Sequence, residues 1–302
     1  MLGQQLVNAL VLGSMYALIA VGFTLYFGVL NLINLAHGGL YMVGGFIAVT
    51  VYAACSAQGW PIWACVIAMS VSAIVGAGLA GMLLERITVK PLRKAPPLVF
   101  LITSVAAYIV LEELVLHFYP NGANPQRFPD PFQLKRVQLG DTVIGHAQIF
   151  LVGIALASIA ALHLLITRTS LGRSIRAVTA DAAGAQMMGI DVNKTISRTF
   201  FIGSALAAVG GIMEGINFGS VMFNMGFIAA IKGFTAAVIG GLGNVYGALV
   251  GGFLLGLAEV LISAYVPDGG AYKNVVTFGF LILCLVFCPH GILGRGGKEE
   301  RV

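Results

Sequence analysis

Apolar windows of about 20 residues, the length that crosses a bilayer as a helix, recur along almost the whole chain. The pattern predicts spans over 6–27, 31–54, 61–84, 98–118, 149–166, 199–216, 245–265 and 275–287. A ninth apolar piece, 227–239, is shorter and carries Lys232. The expected fold is therefore all-α and polytopic: eight long transmembrane helices plus one short or re-entrant segment, in a single domain over 1–302. If the short piece crosses, alternation places the N-terminus outside; if it re-enters, inside.

The second span is the odd one. Asn31 to Phe46 reads NLINLAHGGLYMVGGF, with two asparagines, a histidine and two Gly-Gly pairs inside an apolar region. Hydrocarbon disfavours Asn31, Asn34 and His37, while Gly38 and Gly39 lower helix stability and admit other backbone. Residues of this kind at membrane depth point to a translocation pathway; the alternative is a loose helix whose glycines serve only helix contact. A weaker echo, Val245 to Phe253, also ends in Gly-Gly-Phe and follows the polar break Gly240-Gly-Leu-Gly-Asn244. Interrupted segments in corresponding halves mark transporter pathways, which adds Gly241, Gly243 and Asn244 to the pathway candidates.

Composition agrees with a membrane protein: 302 residues, 58% hydrophobic, 10% charged, mean hydropathy +0.94. A soluble domain carries about a quarter charged residues. The net charge of +5 then speaks to topology rather than nucleic acid, since Lys and Arg concentrate in cytoplasmic loops. Loop 85–94 holds four positive charges and one negative, and loop 168–198 five and two, so both are expected in the cytoplasm. Loop 119–148, with four prolines, is expected on the extracytoplasmic side, and the tail 289–302 in the cytoplasm. The start of the chain lacks the basic stretch and cleavage site of a signal peptide, so its first apolar run reads as a retained span.

Glu112, Glu113, Glu214, Lys232 and Glu259 fall within apolar segments, where charges face a cavity or a partner. Glu214 is the nearer candidate partner for Lys232 across a short turn, and Glu259 the second. Lys232 fits either a pathway role or structural glue; Glu112, Glu113 and Glu259 read as glue, and His163 as structural. Cys55, Cys65, Cys284 and Cys288 read as buried inert thiols.

No catalytic or metal site is expected. Gly297-Lys298 is the only Gly-Lys, and Ile292 and Glu299 stand where a P-loop needs Gly and Ser or Thr. The five histidines lack metal-ligand spacing, and no nucleophile elbow occurs. Energy must come from a gradient or a partner. The piece suited to receive it is a short helix-prone run after Asp181, an N-cap type, stopped by Gly189. Ala182, Ala183 and Ala185 allow close approach, and Met187 and Met188 give adaptable apolar contact. Docking on a partner or on the chain's own cytoplasmic ends would equally stabilise so short a helix.

Four stretches together resemble the permease subunits of branched-chain amino acid ABC transporters. They are Asn31 to Gly39; Leu84-Glu-Arg-Ile-Thr-Val-Lys-Pro-Leu-Arg-Lys94 through Ser104; Gly172-Arg-Ser-Ile-Arg-Ala177 through Ile190; and Gly240 to Ala248 with Gly256-Leu-Ala-Glu259. The resemblance implies an importer-type ABC permease in a bacterial inner (cytoplasmic) membrane. It implies a second related permease subunit, two ATP-binding subunits that hold the ATP and Mg this chain does not, and a periplasmic solute-binding protein. It also implies coupling to the ATPases through Arg173, Arg176 and the Asp181 to Gly189 helix. Many members carry an acidic residue where Gly39 stands, which leaves the solute open between branched-chain amino acids and the urea, amides or aromatic acids of related systems. A carrier that works alone on a gradient is the competing class.

Overall fold

The structure is a computed structural model that describes residues 2–93, 95–132, 136–139, 142–288 and 290–294. Most of the tail expected in the cytoplasm, and with it Arg295, Lys298 and Arg301, lies outside the described residues, as do Lys94 and Lys135.

Among the described residues, seven helices are long and apolar enough to cross a membrane. They are α1 (Leu2–Leu30), α2 (His37–Ala57), α3 (Ile62–Leu84), α5 (Pro97–Phe118), α6 (His146–Arg168), α9 (Val192–Phe218) and α11 (Val245–Tyr265). Two shorter apolar helices complete the set, α10 (Met225–Gly240) and α12 (Lys273–Phe287). The last of the eight expected long spans is thus a helix of 15 residues, about 22 Å at the α-helical rise.

Side-chain caps place several helix starts. Asp191 accepts a 3.0 Å bond from the Lys194 amide and opens α9 seven residues before the expected start at 199. Asn244 accepts from the amides of Tyr246 and Gly247 and opens α11. Between α1 and α2 the chain breaks: Asn31 has φ 53° and helix resumes only at His37. The expected single span 31–54 is therefore a turn followed by a helix, because two asparagines and a left-handed residue cannot hold the α-ladder in register.

The bundle has two ends. At one, β2 (Arg136–Leu139) and β3 (Thr142–Gly145) form a hairpin leading into α6, and β1 (Gln126–Arg127) pairs antiparallel with β4 (Ser220–Val221). The 119–148 loop is thus partly built. Gln148 and Gln4, on the starts of α6 and α1, bond Asn8 and the Val143 amide there. At the other end, α3 continues through a π-helical turn (Glu85–Val89) into α4 (Lys90–Leu92). There α6 passes into α7 (Ser170–Ala180) and α8 (Ala182–Met187). The 168–198 loop is mostly helical, and α7 escaped the sequence reading because its buried stripe is only Gly172, Ile175 and Val178.

Helix α10 runs between these ends. It follows β4, and just beyond it the Tyr246 hydroxyl meets His163 Nδ1, near the end of α6, at 2.7 Å. Glycines let it pass close to its neighbours: a Cβ on Gly38 would fall on the Gly226 carbonyl, and one on Gly247 on the Gly240 carbonyl. Both glycine pairs of the sequence echo are helix contacts, Gly44 against Ala208 of α9 and Gly252 against Ala17 of α1.

Candidate translocation and coupling site

The start of α2 is sealed inside the protein. His37 is fully buried, edge-on to Phe23 (4.8 Å) and Tyr26 (5.0 Å), and neither ring nitrogen finds a partner among the described residues. Asn34 is buried too; its Oδ1 accepts from the Ala36 amide and its Nδ2 has no partner among the described residues. Ser104 of α5 pins the same turn by accepting from the Leu35 amide at 3.2 Å. Asn31 is exposed, Gly38 faces α10, and Gly39 faces Leu111 of α5. Of these polar groups, Asn34 and His37 are closed off from any open wall of the single chain.

Lys232 does not pair with Glu214. Its Nζ lies 2.9 Å from both oxygens of Glu259 and 2.9 Å from the Tyr16 hydroxyl. Tyr16 and Thr277 also donate to Glu259, at 2.7 and 2.6 Å. The carboxylate of α11 thus collects α1, α10 and α12 around itself. Glu214 instead takes a hydrogen bond from Tyr41 of α2. The pairing has a plain cause: β4 and the turn after it carry α10 away from the end of α9 and lay it against α1 and α11. Lys232 keeps 12% side-chain exposure and Glu259 1%, so the pair is a core element. Glu113 differs: it is exposed and, among the described residues, bonded only within its own helix to His117, at 3.0 Å.

Asn244 is a helix cap whose amide nitrogen also donates to the Leu293 carbonyl at 2.8 Å. Gly241 (φ 107°) and Gly243 (φ 87°) make the break that turns α10 into α11. Gly243 and Asn244 line a cavity of about 840 Å³ whose wall also includes Thr24, Arg176 and Tyr246. The break and the loop expected to couple therefore meet at one cavity.

At the coupling end, Asp181 caps α8 by accepting from the Ala183 amide at 2.9 Å, and Gly189 closes it with φ 83°. The expected 182–188 helix is present within one residue. Met187 (89%) and Met188 (84%) are almost fully exposed. Ala182, Ala183 and Arg173 are exposed as well, while Ala185 faces inward. Arg176 spends one guanidinium nitrogen on the Ile166 carbonyl.

Sequence reasoning gave no role to the cluster beside this face. Glu85, 1% exposed, binds the Arg93 guanidinium and accepts from Ser197 Oγ at 2.5 Å, while Arg93 reaches Asn193 at 2.7 Å. The cluster ties the end of α3 to the start of α9. The available signal was the Glu85…Arg93 spacing inside the Leu-Glu-Arg…Pro-Leu-Arg stretch. Nearby, the backbone amide and side chain of Lys194 hold the Asp191 carboxyl below its usual range. Its capping bond is accordingly kept above the ordinary carboxylate pKa and lost as pH falls through the lowered one. Among the cysteines, Cys65 is buried but Cys288 is exposed, against the expectation of four buried thiols.

A bundle of long apolar helices with charges satisfied inside it and a polar, partly exposed helical loop at one end is a multi-pass membrane permease. The model of the family described as branched-chain amino acid transport system / permease component matches residues 5–285, and the chain belongs to that family. It is 40% identical over 304 residues to the high-affinity branched-chain amino acid transport system permease protein BraD of Pseudomonas aeruginosa, covering 98% of this chain and 97% of that one. It is 38% identical over 308 residues to LivH of Escherichia coli K12, with the same coverage. Among solved structures, PsaBC from Streptococcus pneumoniae in complex with Fab is similar in fold, with a TM-score of 0.51 at 14% identity, covering 94% of this chain and 91% of that one.

Proposed function

We propose that the chain is the permease subunit of an ATP-driven importer for branched-chain amino acids or similar small polar solutes, in a bacterial cytoplasmic membrane. The observation that carries this is identity of 38–40% across nearly the full length to permeases of high-affinity branched-chain systems. The exposed Met187–Met188 tip of α8 supports docking on separate ATP-binding subunits, because water disfavours two adjacent bare methionines. Two such subunits, carrying ATP and Mg, a second related permease and a periplasmic binding protein complete the machine. The crossing of α10 supports an extracytoplasmic N-terminus, with loops 85–94 and 168–191 in the cytoplasm. In this reading Asn34, His37 and Gly38 act at the α2–α10 contact beside the path, and Gly241, Gly243 and Asn244 at its cytoplasmic mouth.

Reconstituted in liposomes with its partners, the complex should hydrolyse ATP faster when solute-loaded binding protein is added. Hydrolysis indifferent to the binding protein would overturn the proposal. Gly189→Val tests the transmitter. Nothing lies within 4 Å of a Cβ there, so the cost is purely conformational, about 1–2 kcal/mol for a left-handed β-branched residue. The variant should insert normally yet lose the stimulated part of hydrolysis and uptake. Full coupling would exclude α8 as the transmitter.

A further inference from the structure

The cavity of about 840 Å³ at the α10–α11 break is walled by the last turns of α1 and α6, by α7 and by the start of α11. Its chemistry is one-sided. Arg176 reaches into it from α7, tethered by one guanidinium nitrogen to the Ile166 carbonyl near the end of α6. The tether holds the cation against the wall, and the rest of the guanidinium has no partner among the described residues. No carboxylate stands among the described lining residues. Arg168, Arg173 and Arg176 enter no ion pair among the described residues. At the wall formed by α1, Thr24 is 2% exposed and its hydroxyl has no partner among the described residues. A buried hydroxyl left without a bond is costly. An ordered cation with spare donors, an unpaired buried hydroxyl and no counter-charge suit an anion.

The position of the cavity says where that anion comes from. Helix α6 has 23 residues and spans about 34 Å at the helical rise, slightly more than the hydrocarbon thickness of about 30 Å. His163, five residues before its end, therefore lies near the boundary between acyl chains and headgroups. There the Tyr246 hydroxyl meets His163 Nδ1 at 2.7 Å and ties α11 to α6. Beyond this bridge both helices turn apolar side chains outward, Leu156 and Leu164 on α6 and Val250 and Leu254 on α11. Helix α6 buries only Leu151, Ala155, Ile159 and Leu162. The cavity itself mixes Arg176 and Thr24 with Leu25, Val29 and Val245. A polar floor that continues into an exposed apolar groove fits an amphiphile, not a small soluble ion.

We propose that this cavity holds the phosphate of an anionic phospholipid of the cytoplasmic leaflet, with Arg176 as its cation. The Thr24 hydroxyl donates at the floor, and the acyl chains lie on the apolar stripes of α6 and α11. Basic pockets between membrane helices on the cytoplasmic side take such headgroups. This rests on the permease reading, which puts α7 in the cytoplasm. A lipid bound there touches α7 and the α10–α11 break together.

The test uses the whole transporter in vesicles of equal phosphatidylcholine and phosphatidylglycerol, extracted in mild detergent. Stimulation of ATP hydrolysis by the binding protein is recorded first; its loss reports on the permease reading alone, since lipid retention needs no turnover. Native mass spectrometry then reads the lipid kept on the permease chain. Phosphatidylglycerol should be enriched over phosphatidylcholine at least about fivefold, the usual worth of one basic residue at an anionic surface. Arg176→Gln should abolish the preference, and Arg86→Gln, which removes an exposed cation outside the cavity, should keep it. Gly28→Leu should abolish retention with every charge in place, because a Cβ on Gly28 points into the cavity and meets only Thr179, at 3.9 Å. It decides the matter if Arg176→Gln fails to assemble. No enrichment in the unaltered complex overturns the proposal. So does enrichment that survives Gly28→Leu, or that falls equally with Arg86→Gln, which would be surface charge alone. Displacement of the lipid by excess inorganic phosphate would make this a site for a soluble anion and overturns it too.

Discussion

Lys232→Met should lower the unfolding free energy of the permease in detergent by about 3–5 kcal/mol, the usual cost of stripping one partner from a buried ion pair. Methionine fills much of the lysine volume, so the loss is electrostatic rather than a cavity. It leaves the Glu259 carboxylate, 1% exposed, with only the Tyr16 and Thr277 hydroxyls as donors. Four helices meet at that carboxylate, so the damage should spread as loosening of α10 and α12 against α1 and α11. Adding Glu259→Gln should recover a large part of the stability, since the double variant buries no unpaired charge. Thermal unfolding of the two variants side by side separates the outcomes. An unchanged midpoint for Lys232→Met would show that the pair contributes nothing. A recovered fold with lost uptake in the double variant would show that the charges serve transport as well as packing.

Gly38→Val should be the most damaging glycine substitution at the α2–α10 contact. A Cβ there meets the Gly226 carbonyl oxygen and the Ala230 Cβ, and a Cβ at Gly226 would in turn meet the Gly38 carbonyl. Backbone faces backbone, so no side chain can rotate away and the helices must separate. Overpacking of this kind costs about 3 kcal/mol at its upper range. Gly279→Val, on α12 where nothing lies within 4 Å, should change stability only by the helix-propensity difference, about a few tenths of a kcal/mol in valine's favour. Equal thermal stability of the two variants would contradict the close contact. Gly38→Ala should fall between them.

Several features were legible in the chain itself. Among the described residues the apolar windows located all seven helices long enough to cross a membrane, because span length is set by the bilayer and not by the partners a helix packs against. The Asp181 cap and the Gly189 stop were readable for the same kind of reason: both are local conformational requirements. The helical break at Asn31 was not read, since an apolar window averages over a six-residue turn. Nor was α7, whose amphipathic stripe contains a glycine. The Glu85, Arg93, Asn193 and Ser197 cluster joins residues more than a hundred positions apart at its widest, and only the family-like Leu-Glu-Arg stretch hinted at it.

The candidate site divides along the same line. Which residues are polar at membrane depth was determined by the sequence: Asn34, His37, Glu214, Lys232 and Glu259 stand out because hydrocarbon solvates none of them. Which of them face one another was decided by the tertiary structure. Lys232 passes over Glu214, its nearer neighbour in the chain, for Glu259, and Glu214 turns to Tyr41. Glu113, which reads in sequence as structural glue near the interface, is exposed and paired with His117 of its own helix. The reason is physical. Desolvation acts on each residue separately and can be read from its type and depth. Pairing depends on the rotation and crossing of whole helices, which are set by glycine contacts between segments far apart in the chain.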